Sequence, residues 1–248
     1  MLRIDAAAYR SPWRRLHPAV KATFCGGLAV CALALPPWPG AAITALVVLV
    51  AAFGPARVAP RTFARSARAP LLFILTGAAT LLVSVGGPEG LVAWAPGGWQ
   101  RAAEISGRAA AALSCQLLFA FTTPLAEVLP RLVRLGLPPA LVEVTSLIYR
   151  MLFVILDTAH RVHTAQAGRL GHETWRSWIR SVGSLGAAIF VRSFDRARRM
   201  QQGLAGRGYT GDLTVLVDAT PLRAASVAVA ALPPLLVAAI ALTWRMMG

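Results

Sequence analysis

Two short arginine-centred sequences stand out by residue type and spacing. Gly168-Arg169-Leu170 lies within Ala-Gln-Ala-Gly-Arg-Leu-Gly, and Gly206-Arg207-Gly208 lies within Gly-Leu-Ala-Gly-Arg-Gly-Tyr. Each closes a segment with helical periodicity. The last turn of a helix carries unpaired carbonyls and a partial negative charge, which accommodate a cation. Glycine beside the arginine lets the chain turn left-handed and lets another surface come close. A guanidinium held there can bridge carboxylates or carbonyls through several donors at once. This chemistry is docking, not catalysis. Taken singly, either tripeptide reads first as an ordinary glycine-capped helix end with an exposed arginine. Two in one chain bring a paired docking device level with that reading.

Other reactive residues form no set. Asp157, His160 and His163 recur at three-residue spacing on one predicted helix and have side chains that bind metals. Their setting, however, is a helix flank turning polar, and a solvated flank is the expectation. Glu104 and Arg108 are four apart in the order that supports a helical ion pair. Ionisable groups at the edge of an apolar segment also raise the question of a cation path. Cys25, Cys31 and Cys115 sit in apolar runs without a CxxC pair, so they read as small core hydrophobes. No Walker A sequence, GxSxG, HExxH or acidic cluster is present. No catalytic residues, no cofactor and no metal site are expected.

The elements that must position the two arginines are helices. The stretch 124–223 reads as three helical pieces. Thr123-Pro124 opens the first, with threonine as cap and proline at the first helical position. Gly136 and Pro138-Pro139 end it. The second runs from about Pro139 to about Gly168, with Leu141, Val144, Ile148, Met151, Leu152 and Ile155 at helical spacing. The third runs from about Glu173 to Ala205. Both long pieces pass from apolar to polar before they reach Gly-Arg.

Apolar segments flank this block. Ala19–Leu35, Ala41–Phe53, Pro70–Val85, Ala102–Thr123 and Ala224–Trp244 are of spanning or near-spanning length. Arg57, Arg61, Arg65 and Arg68 lie on one helical face and fit a short amphipathic helix at a membrane surface. The chain is 56% hydrophobic and 14% charged, which places it in the membrane class. Its net charge of +15 is confined to certain segments. The first 21 residues, the segment 57–68 and the block 124–223 hold five, four and thirteen Lys/Arg, whereas 36–40 and 86–100 hold none. Basic loops stay cytoplasmic. Five spans then put the N-terminus and the arginine block inside and the C-terminus outside. That asymmetry accounts for the charge without nucleic acid, and no nucleic-acid partner is expected. No small-residue cleavage site follows the first apolar run, so no cleavable leader is expected.

The expected fold is therefore all-α: a polytopic membrane protein of about five transmembrane helices plus a cytoplasmic domain of about three coupling helices. Residues 1–123 form a membrane region of four spans, 124–223 the cytoplasmic domain, and 224–248 a last span.

The order of these features resembles the transmembrane T component of energy-coupling-factor importers, in particular its cobalt-type branch. The resemblance rests on Ile4-Asp5, Tyr9-Arg10-Ser11-Pro12 and His17-Pro18-Ala19-Val20-Lys21. It continues in Leu118–Leu137 with Thr122-Thr123-Pro124-Leu125, in Tyr149–Val154, and most strongly in Arg192-Ser193-Phe194 through Gly206-Arg207-Gly208-Tyr209. It implies a non-catalytic scaffold in the bacterial cytoplasmic (inner) membrane. It implies as partners two ATP-binding-cassette ATPase subunits, a separate substrate-binding membrane subunit (S component) and the lipid bilayer. The cargo implied is cobalt or nickel, with a vitamin such as biotin as the alternative. The ATPase-docking residues implied are Gly168, Arg169 and Leu170 at one tip and Gly206, Arg207 and Gly208 at the other. Leu170 departs from the small residue that the family favours after arginine. From another class, a polytopic membrane enzyme would need a polar constellation at one membrane face, and only scattered single residues are found.

Overall fold

The structure, a computed structural model, describes residues 3–35, 37–87, 90–95, 97–133, 136–209 and 222–247. Residues 88–89 and 96 of the expected outer loop, 134–135 and 210–221 of the arginine block, and Gly248 lie outside the described residues. The fold is helical. In chain order the helices are α1 (Arg3–Arg10), α2 (Pro18–Ala34), α3 (Ala42–Phe53), α4 (Pro60–Thr80), α5 (Gly98–Thr122), α6 (Leu125–Leu132), α7 (Pro139–Ala167), α8 (Trp175–Ala205) and α9 (Ala224–Met247). The chain divides into two compact units, residues 3–125 with 218–248, and residues 1–2 with 126–217.

In the first unit, α2 and α5 run antiparallel and are locked at both ends by cations. Lys21 Nζ, on a side chain 1% exposed, donates to the Thr122 carbonyl at the end of α5 (2.8 Å). Arg108 on α5 donates from its Nη2 to the Leu35 carbonyl at the end of α2 (3.2 Å). Each helix thus supplies the cation that satisfies an orphan carbonyl in the other's last turn, where the helix dipole also favours positive charge. The expected Glu104–Arg108 ion pair does not form, because the guanidinium turns to Leu35 instead. Around this pair Cys25, Leu28, Val48, Ala52, Phe63, Leu118, Phe121 and Val237 form one buried cluster. Small residues set the close approaches. A Cβ on Gly27 would lie 2.8 Å from the ring of Pro234, so α2 and α9 meet there without a side chain between them. The three cysteines are free; Cys25 and Cys115 are buried, and Cys31 donates from its thiol to the Pro234 carbonyl (3.4 Å).

Several elements differ in detail from expectation. The basic segment after Arg57 and the third apolar run are one helix, α4, which continues through Pro70. Proline removes one backbone hydrogen bond, but Phe63 and Ala67, both buried, hold the preceding turns on the core. The polar N-terminal stretch is also ordered. It forms α1, with Ala8 fully buried, and Ser11 Oγ donates to the Ala56 carbonyl (2.9 Å). Residues Val83–Gly87 (β1) and Gly90–Trp94 (β2) pair antiparallel, Val83 opposite Trp94, so a short hairpin interrupts the otherwise helical chain. Thr123 follows α5 in extended conformation, and α6 starts one residue after Pro124.

Three described helices are long and apolar enough to cross a membrane: α5, α7 and residues 224–244 of α9. Pro18–Ala34 and Trp38–Phe53 are apolar but shorter. The expected count of five goes beyond these three, and α7 had been assigned to the arginine block rather than to a span.

Candidate functional site

The second unit holds both arginine tripeptides. Its long helices α7 and α8 lie antiparallel, as four pairs of partners along their length show. Near the turn between them, Gln166 Nε2 donates to the Ser181 carbonyl (3.0 Å) and to Ser184 Oγ (2.8 Å). Midway, Val154, Ile155 and Thr158 face Ile189, Arg192 and Ser193 across a groove, and Arg196 Nε meets Met151 Sδ at 3.3 Å. At the far end, the Tyr209 hydroxyl donates to the Glu143 carboxylate. The residue numbers rise on one helix as they fall on the other, so Arg169 and Arg207 stand at opposite ends of the pair. At 1.5 Å per residue, the 31 residues of α8 put the two tips roughly 45 Å apart.

The two tips are built alike, bond for bond. In the first, the Arg169 N–H donates to the Gln166 carbonyl (3.1 Å), Leu170 N–H to Ala167 (3.1 Å), and Gly171 N–H back to Gln166 (2.9 Å). In the second, Arg207 N–H donates to the Leu204 carbonyl (3.0 Å), Gly208 N–H to Ala205 (3.1 Å), and Tyr209 N–H back to Leu204 (3.0 Å). A reach back of three residues followed by one of five is the Schellman ending, which satisfies the last carbonyls and turns the chain sharply. It requires a left-handed residue directly after the arginine. Gly208 takes that conformation at φ 73° without cost, whereas Leu170 takes it at φ 56°. A non-glycine residue pays about 1–2 kcal/mol there. Leu170 is 66% exposed, so contacts within the chain do little to offset that strain.

Each tip is braced by the opposite helix. Ser181 Oγ on α8 donates to the Gly171 carbonyl (2.8 Å), and a Cβ on Gly171 would lie 2.7 Å from that same oxygen. At the other tip Tyr209 is tied to Glu143 on α7. The guanidinium groups are left outward. Arg169 and Arg207 are exposed, and neither makes an ion pair or side-chain hydrogen bond among the described residues.

The arrangement offers two cations on stiff, far-separated mounts. The six residues singled out in the sequence therefore fall into two matched triplets and not one pocket. The sequence reading missed the braces Gln166, Ser181, Ser184 and Glu143. Only Tyr209, directly after the second motif, carried a local hint. Asp157, His160 and His163 do not converge. Asp157 pairs with Arg161 (2.7 Å), and His163 stacks on His172 with ring centroids 4.7 Å apart. No group of three or more metal-binding side chains occurs among the described residues.

Comparison with known proteins gives concordant matches. The family described as CbiQ, cobalt transport protein, matches residues 10–216. The chain is 41% identical over 213 residues to the cobalt transport protein CbiQ of Rhodobacter capsulatus, covering 86% of each chain. It is 28% identical to the CbiQ of Salmonella typhimurium, covering 86% of this chain and 99% of that one. It is also 28% identical to a putative fused cobalt transport protein, CbiMQ, of Methanocorpusculum labreanum, covering 90% of this chain but 40% of the relative.

Proposed function

Since the chain belongs to the CbiQ family of cobalt transport proteins, we propose that it is the transmembrane energy-coupling subunit of an ATP-driven importer of cobalt or nickel ions. In this reading it does no chemistry itself. Arg169 and Arg207 each enter an acidic groove on one of two ATP-binding-cassette ATPase subunits. Closure of the ATPases on ATP displaces the tips. The braces carry that displacement into the long helices, which act on a separate membrane subunit that holds the ion. The name of the fused relative joins a second cobalt-transport component to the CbiQ part, which agrees with a membrane partner for this chain. The N-terminus and residues 124–223 face the cytoplasm of a bacterial inner membrane, and the C-terminus faces outward.

One observation carries the reading. The two arginine tips share one hydrogen-bond pattern, stand at opposite ends of one antiparallel pair, and are each fastened to the opposite helix. A chance helix ending explains one such tip. Two copies facing apart suit two equivalent subunits docked side by side, and cross-bracing makes the tips move with the helices.

The test is purification of the tagged chain from native membranes in mild detergent, with mass identification of what accompanies it. An ABC-type ATPase and a second small membrane protein are expected. Arg207→Glu puts a carboxylate where a cation docks and is expected to abolish ATPase recovery. Recovery of the ATPase at wild-type yield with that variant would overturn the docking reading.

A further inference from the structure

The two tips match in every backbone bond but differ in what they present beside the arginine. After Arg207 stands Gly208, with no side chain. After Arg169 stands Leu170, 66% exposed and held left-handed at φ 56°. A strained conformation persists where the surrounding structure or a function enforces it. Here the turn enforces the backbone, but nothing in the turn calls for leucine. Glycine fits the same conformation without strain, as the other tip demonstrates. Apolar burial within the chain does not explain leucine either, because most of the side chain lies open. The sharp turn aims residue 170 outward beside a guanidinium that pairs with nothing among the described residues, at the place where a partner surface would approach.

Resting on the docking reading above, we infer that Leu170 is a second anchor at the first tip: its side chain enters an apolar recess on the ATPase next to the acidic group that takes Arg169. The partner surface is thus mixed, a carboxylate beside an apolar cup. The two docking ends are consequently unequal. The first is held by charge and apolar burial together, and the second by charge with close backbone approach over Gly208. A subunit pair of identical ATPases would then release from the Arg207 end first.

The inference separates cleanly from a structural role for leucine. Leu170→Gly relieves the left-handed strain, so a merely structural residue would leave docking unchanged or improved. Leu170→Asn keeps a branched side chain that tolerates the left-handed region but is polar. The full-length chain in lipid nanodiscs is titrated with the ABC-type ATPase that accompanies the wild-type chain. Both variants are expected to bind it roughly tenfold more weakly, the loss that follows from leaving about two-thirds of a leucine side chain in water. Leu170→Met, still apolar, is expected to retain most of the affinity. The melting temperature of Leu170→Gly should not fall, and amide exchange at Gly171 should remain slow, showing that the turn persists. If Arg169→Glu weakens binding while Leu170→Gly and Leu170→Asn do not, the leucine anchor is wrong and the docking reading stands. Where Arg169→Glu and Arg207→Glu also leave binding unchanged, both fail together.

Discussion

A buried lysine inside an apolar helix is expensive unless its charge is met. Lys21 is the only lysine in the chain, 1% exposed, and its ammonium reaches the last carbonyl of α5. Lys21→Met keeps the apolar stem and removes the donor, which leaves the Thr122 carbonyl without that partner. A hydrogen bond from a charged group is worth about 1.5–3 kcal/mol. The variant is expected to lower stability by about that amount, read as an earlier melt of the detergent-purified protein. A melt at or above the wild-type temperature would show that Lys21 does not hold α5. At this scale the sequence was half legible. The arginine tips announced themselves because glycine and arginine carry local meaning at a helix end. The partners of Lys21 and Arg108 could not be read, because they lie 101 and 73 residues away. For the same reason Arg108 was assigned to Glu104, the neighbour that helical spacing offers, when a carbonyl on another helix holds it.

Elements fared better where a single local rule decides them. A proline opening marked α7 and glycine endings closed α7 and α8, which the structure places at Pro139–Ala167 and Trp175–Ala205. Where a rule met packing, packing won. Pro70 was expected to begin a new segment, yet α4 runs through it because buried side chains on its early turns fix the helix in place. Nothing in the sequence marked α1 as an element, because its arginines count only as charge, while Ala8 supplies its buried side. Glycines inside helices show the same logic. Gly27 permits α2 to touch the Pro234 ring of α9 at a distance no real Cβ adopts. Proline is rigid and cannot yield, so Gly27→Ala must separate the two helices. A loss of about 1–3 kcal/mol is expected from such overpacking, seen as a lower melting temperature. Gly26→Ala, with nothing within 4 Å of the added atom, should leave it unchanged and serves as the control.

For the whole molecule the open quantity is the number of crossings, and α7 decides it. Loop charge reads five crossings with both basic termini of the first four spans inside, so that the C-terminus emerges outside. Length and apolarity add α7 to the helices able to cross. The two descriptions conflict, because a crossing by α7 would carry one arginine tip to the far side. Arg169 and Arg207 stand at opposite ends of the antiparallel pair, so a membrane-normal α7 would place one cation inside and the other outside. Two equivalent cytoplasmic partners could not then take both. On the proposed docking function, the matched tips favour an α7–α8 pair that lies along the membrane surface, with its exposed apolar side chains, such as Leu141, Val144 and Ile148, turned to lipid or to a membrane partner. A reporter fused after Gly171, at the turn between α7 and α8, tests this. Green fluorescence, with an inactive alkaline phosphatase counterpart, is the expected result. An active phosphatase at that position would show that α7 crosses. Because α8 runs back along α7, the two arginines would then lie on opposite sides of a bilayer, a geometry that no pair of ATPases on one side could use.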